Sequence, residues 1–182
     1  MPQIRILGAA GALVAGGLLM LSSVASAQPA PARFGPLAID QVWRGTMGAD
    51  DYTAPDRSRD QIIGRAGDDT LAAGDMRDVV RGNRGDDTID GGPGRDRLKG
   101  NRGNDTIYGG EDGDWILGGS GADVIDGGPG TDVIRSGRGD DTITAADGRL
   151  DFIRCGRGQD TVTADEIDRV ARNCENVTLV AP

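Results

Sequence analysis

Aspartate recurs on a fixed beat. Asp60, Asp69, Asp78, Asp87, Asp96, Asp105, Asp114, Asp123, Asp132 and Asp141 follow one another at intervals of nine; the register then slips by one to Asp151 and resumes at Asp160. Asp50 precedes the series. Carboxylates at a strict spacing can do two kinds of chemistry: they can relay protons as a paired acid and base, or they can offer hard oxygen ligands to a cation. Even repetition with no cleft-forming insertion favours ligands. A third reading is that each Asp only caps a turn. Capping would accept Asn or Ser, and no position in the series from Asp60 to Asp160 carries either. The chain has no histidine, which excludes an HExxH zinc site and a Ser-His-Asp triad. Its glycine-rich loops lack the lysine and following helix of a phosphate-binding loop.

The elements that must position these carboxylates follow from the residues around them. Two positions after each Asp stands an aliphatic: Ile62, Leu71, Val80, Ile89, Leu98, Ile107, Ile116, Ile125, Ile134, Ile143, Ile153 and Val162. The residues leading into each Asp draw heavily on the 31 glycines of the 182-residue chain. Each unit thus reads as a glycine-rich turn, where positive φ is tolerated, followed by a short strand that points out, in, out. One inward aliphatic per strand cannot fold alone, but stacked coils turn the aliphatics into a continuous ladder. Two units make one coil, so residues 18 apart in sequence lie over each other at about 4.8 Å. The expected fold class is all-β: a parallel β-roll (a β-helix solenoid) with two short-strand sheets, 18 residues per coil. Roughly six to seven coils would give a roll about 30 Å long.

"GGPGRDRLK", "GNRGNDTIY", "GGSGADVID" and "GGPGTDVIR" resemble the GGxGxDxUx nonapeptide of the RTX, or hemolysin-type, calcium-binding repeats. The resemblance covers residues 45–171. It implies calcium held between the loops of successive coils, with the sixth-position Asp as the side-chain ligand. Calcium also suits the chemistry, since it takes six to eight oxygens and two stacked loops can offer carbonyls plus a carboxylate each. RTX repeats often accompany a catalytic domain. Here only residues 28–44 separate the signal segment expected over residues 1–27 from the first unit, so a non-enzymatic protein is expected.

The two edges of the roll differ in sequence. On the first edge, Asp50, Asp69, Asp87, Asp105, Asp123, Asp141 and Asp160 each follow a unit that keeps Gly at its fourth position, from Gly48 and Gly67 to Gly139 and Gly158. On the second edge, carrying Asp78, Asp96, Asp114, Asp132 and Asp151, only "GGPGRD" and "GGPGTD" are regular. An uninterrupted calcium column is expected on the first edge and a patchier, weaker one on the second.

Residues 1–27 read as a secretory signal, with Arg5, an apolar run from Ile6 to Leu21 and "ASA" ending at Ala27. Residues 28–44 read as a leader and N-terminal cap, and 172–182 as a C-terminal cap. No second apolar run suggests a membrane span. Loss of Arg5 with the signal moves the net charge from -9 to -10, which favours cations over nucleic acid as partners. The protein is therefore expected outside the cell. Cys155 and Cys174 are the two cysteines. In an oxidising compartment, and about one coil apart, they read as a disulfide pinning the last coil, with two free thiols as the alternative. Outward positions differ between the sheets. One carries a threonine column suited to a solvated strand surface. The other carries Trp115, Phe152, Arg97 and Arg135, a candidate face for a glycan or protein partner in an adhesive module.

Overall fold

The computed structural model describes residues 41–55 and 57–181. The expected signal over residues 1–27 and the leader up to residue 40 lie outside the described residues. Sixteen strands form two parallel sheets of eight. Sheet A holds β1 (Gln41–Arg44), β3 (Asp60–Ala66), β5 (Val79–Arg84), β7 (Arg97–Arg102), β9 (Trp115–Ser120), β11 (Val133–Arg138), β13 (Phe152–Arg157) and β15 (Arg169–Val170). Sheet B holds β2 (Asp51–Thr53), β4 (Thr70–Ala72), β6 (Thr88–Asp90), β8 (Thr106–Tyr108), β10 (Val124–Asp126), β12 (Thr142–Ala145), β14 (Thr161–Asp165) and β16 (Asn176–Val180). The chain alternates between sheets at every strand, which is the β-roll read from the sequence.

Register confirms the coil length. Val80 pairs with Leu98, Leu98 with Ile116 and Ile116 with Ile134, each 18 residues on. The inserted residue before Asp151 is absorbed in a loop, because Ile134 still pairs with Ile153. All twelve aliphatics named above are fully buried, six from each sheet. One methyl-bearing side chain per strand is enough only because each rests on the coil above and the coil below.

Two features depart from the expectation. First, the roll has about eight turns, since residues 41–44 and 176–180 add strands to the sheets as β1 and β16. In the first turn Trp43 and Tyr52 occupy the aliphatic positions, paired with Ile62 and Leu71. Their rings stack with centroids 4.5 Å apart and close the apolar ladder. Second, β5, β7, β9, β11 and β13 are six residues long, whereas β4, β6, β8 and β10 have three. On the first edge the strand of sheet A runs on through the third residue of the next unit. On the second edge Pro93 and Pro129 occupy that third position. A proline has no N–H to continue a ladder. Cys155 and Cys174 form a disulfide with Cα atoms 5.2 Å apart.

Candidate functional site

Each repeated Asp stands at the end of a turn, one residue before an outward strand position and two before a core aliphatic. That register buries the carboxylate beneath its own loop. Asp69, Asp78, Asp87, Asp96, Asp105, Asp114, Asp123, Asp132, Asp141, Asp151 and Asp160 are all buried. The stacking then ties them into two columns. On the first edge the Asp50 N–H donates to Asp69 Oδ1 at 2.8 Å, Asp69 to Asp87 at 3.0 Å, Asp87 to Asp105 at 3.0 Å and Asp105 to Asp123 at 2.9 Å. Asp123 to Asp141 and Asp141 to Asp160 continue the chain at 2.9 and 3.0 Å. On the second edge Asp60 donates to Asp78 at 2.6 Å, and Asp78 to Asp96, Asp96 to Asp114, Asp114 to Asp132 and Asp132 to Asp151 follow, all at 2.7 Å.

Only half of each carboxylate is used this way. The second oxygen, Oδ2, of all eleven buried Asp residues from Asp69 to Asp160 is buried without a hydrogen-bond partner. An unsatisfied buried carboxylate oxygen is costly, so it must be protonated or meet a cation. Burial pushes the carboxyls up, moderated by the backbone N–H each accepts. Asp78 and Asp105 rise to about 6, Asp87, Asp96, Asp123, Asp132 and Asp151 to about 7, and Asp114 to about 8. Asp69, Asp141 and Asp160 are raised from the same cause.

The glycines make room for these oxygens. A Cβ on Gly91 would lie 2.8 Å from Asp96 Oδ2 and would also strike the carbonyl oxygen of Gly109, one coil on. Carboxylate and carbonyl oxygens thus converge on a space that any side chain would fill. At the fourth position Gly85, with φ 122°, leaves no room for a Cβ against the carbonyl oxygen of Gly67. Among the described residues no three carboxylates gather at one point. A cation here would draw on carboxylates from successive coils and on backbone carbonyls. An all-oxygen donor set of that kind fits calcium.

The column ends were not legible in advance. Asp50 was expected as a ligand like the others, but its Oδ2 accepts the Thr46 N–H at 2.6 Å and its carboxylate also accepts the Thr46 hydroxyl. Asp60, which begins the second column, accepts the Ser58 hydroxyl at 3.0 Å on both oxygens. At the far ends Glu175 accepts from Asp160 at 3.1 Å and Asp168 from Asp151 at 2.8 Å. Glu175 breaks the nine-residue beat, so no spacing rule reaches it. Ser136 replaces the first-position glycine of its unit, and its buried hydroxyl, beside Asp141, meets no hydrogen-bond geometry. The outward residues divide. Arg97 pairs in register with Trp115 on adjacent strands, whereas Arg135 and Phe152 line a separate hollow nearer the C-terminus. Lys99 Nζ lies 5.2 Å from the Trp115 ring centroid, and Arg169 covers Phe152 at 5.3 Å.

Two buried columns of half-satisfied carboxylates, stacked in a parallel solenoid, have the make-up of a cation-binding repeat protein. Residues 56–143 match the RTX calcium-binding nonapeptide repeat in four overlapping copies, at 56–75, 73–107, 90–125 and 108–143. The chain carries that repeat, and the columns continue past the matched segment to Asp151 and Asp160. No curated protein and no solved structure matches it. Among the described residues no helix is long and apolar enough to cross a membrane.

Proposed function

We propose that the protein is a secreted, non-enzymatic roll that folds on calcium and serves a structural or surface-associated role. The observation that carries this reading is the set of eleven buried Oδ2 atoms without partners. Each needs a positive charge if it is to be ionised inside the fold, and a row of like charges about 4.8 Å apart is otherwise repulsive. Calcium between coils supplies that charge. Asp69, Asp87, Asp105, Asp123, Asp141 and Asp160 hold it on the first edge. Asp78, Asp96, Asp114, Asp132 and Asp151 hold it on the second, where irregular loops give weaker sites. When bound, calcium cross-links successive turns and so adds its binding free energy to folding. The N-terminal segment and the Cys155–Cys174 disulfide support an oxidising, extracellular setting.

Far-UV circular dichroism of the chain in chelator, titrated with calcium at pH 7.5, tests this. The β-signal should grow from a largely disordered baseline to a folded plateau within the millimolar range of extracellular modules. A chain equally folded in chelator would overturn the proposal.

A further inference from the structure

Charge on this roll is sorted by sheet. Every lysine and arginine that lies on a described strand belongs to sheet A. Sheet B's strands carry none, and turn Asp51, Asp90 and Asp126 outward instead. The net charge of -9 therefore hides a basic face. On the second edge that face is extended by Arg59, Arg77 and Arg95, which occupy the same loop position in three successive coils and are exposed.

These three arginines, with Arg97, wall a groove of about 750 Å³ that reaches from Val42 on β1 to Val133 on β11, with Trp115 along it. The groove crosses six neighbouring strands of sheet A. Five steps of about 4.8 Å make it about 24 Å long, parallel to the roll axis. Asp60, Asp78, Asp96 and Asp114 lie along its base.

The shape and chemistry select among partners. Strands lining the groove pair on both sides from β3 to β11, so over that length no free strand edge is offered to an extended peptide. What remains is a row of guanidinium forks, suited to planar or tetrahedral anions, and one half-buried indole, suited to the C–H face of a ring. The forks repeat at about 4.8 Å, close to the length of one sugar in an extended chain, whereas each strand of duplex DNA places one phosphate per about 3.4 Å of its axis on a path that winds away from a straight groove. An overall negative protein also repels a densely charged polymer more than one with a single charge per residue.

The geometry points to this groove as a binding site for a linear anionic polysaccharide, laid along the roll axis with one charged group per sugar facing one arginine per coil. The inference rests on the calcium reading in one respect: ions held by the base carboxylates cancel the negative charge beneath the arginines, so the loaded roll presents the more cationic groove.

The test is a titration of the full chain in calcium with a galacturonate hexamer and a sulfated heparin-type hexamer, following tryptophan fluorescence and heat. A neutral cellulose hexamer and vesicles of anionic phospholipid complete the series. At least one anionic hexamer should bind and the neutral one should not. Replacing Arg77→Gln, Arg95→Gln and Arg97→Gln together should weaken binding by about tenfold or more, while the equal charge change Arg138→Gln, Arg154→Gln and Arg157→Gln should cost less than about twofold. All six arginines are exposed, and circular dichroism on the same samples checks that each variant folds. Equal losses in both variants, equal binding of neutral and anionic hexamers, or binding to vesicles alone would overturn the groove. If the chain stays folded in chelator, the calcium reading fails by itself, and hexamer binding in chelator still decides the groove.

Discussion

The two edges of the roll hold the same carboxylate ladder on different loops. Both columns run unbroken, yet the second edge makes the shorter bonds, 2.6 to 2.7 Å from Asp60 through Asp151 against 2.8 to 3.0 Å from Asp50 through Asp160. It also holds the highest carboxyl, Asp114 at about 8. The irregularity seen in its sequence falls on the fourth loop position. There Met76 and Asp112 adopt φ of 87° and 72°, where the first edge keeps glycine at φ of 113° to 142° from Gly67 to Gly158. The lesson is that an Asp column can be kept intact while the loop that feeds it carbonyls varies. Left-handed side chains occur on both edges, with Arg65, Asn83 and Asn101 at the second loop position of the first, so what separates strong from weak calcium sites should be the fourth-position turn and not carboxylate supply.

The largest effect should come from deleting a carboxylate on each edge in turn. Asp105→Ala and Asp114→Ala each strip a ligand from two adjacent gaps and leave a backbone N–H, of Asp87 or Asp96, without its acceptor. Calorimetry should show two fewer calcium ions in either variant. The midpoint should shift by about tenfold or more for Asp105→Ala, on the order of 1.4 kcal/mol, and by less for Asp114→Ala. Equal shifts would erase the proposed ranking of the edges.

Covalent closure is the next difference, because the disulfide fastens only the first edge, where Cys155 takes the first position of its unit. Cys174→Ser should lower calcium-loaded stability by about 3 kcal/mol for a loop of this length, read from denaturant midpoints. A contrasting pair of loop substitutions follows. Gly85→Ala sets a Cβ against the Gly67 carbonyl at positive φ and should cost about 1–3 kcal/mol. Met76→Gly relieves a left-handed side chain on the second edge and should gain about 1 kcal/mol, with tighter calcium binding there.

Protonation offers the finest discrimination. These carboxyls titrate higher when folded than when unfolded, so the metal-free roll holds extra protons. Its stability is fullest below about pH 4 and is lost as pH rises through the folded values of about 6 to 8. In chelator, the β-signal should be stronger at pH 5 than at pH 8. Calcium binding at pH 7 should release protons, more from Asp114 than from Asp105. Calorimetry in buffers of different ionisation heat, on the two Asp variants, measures that difference.

Much of this architecture was legible because it repeats. The nine-residue beat located the twelve core aliphatics, the 18-residue coil, the slip at Asp151 and the one-coil separation of Cys155 and Cys174. What escaped was whatever occurs once. Trp43 and Tyr52 close the ladder through stacking, a contact that no period announces. Thr46 and Ser58 satisfy the first carboxylates of the described stack, and Glu175 ends a column from outside the beat, because a coil at either end of the described residues has a repeat neighbour on one side only. The longer strands of sheet A were hidden for another reason: their second halves are glycine-rich and read as turn, yet parallel neighbours in identical conformation can still pair.

The direction of the carboxylate ladder has a consequence of its own. Every column Asp from Asp69 to Asp160 is oriented by the N–H of the coil before it, so none of these loops sets its ligand alone. A lone coil has nothing to offer an ion, and a half-filled stack gains less per ion than a full one. Such a chain responds to its surroundings as a row of dominoes does to a push. If calcium fills the gaps as proposed, each edge should therefore respond little at low calcium and fill cooperatively past a threshold of its own.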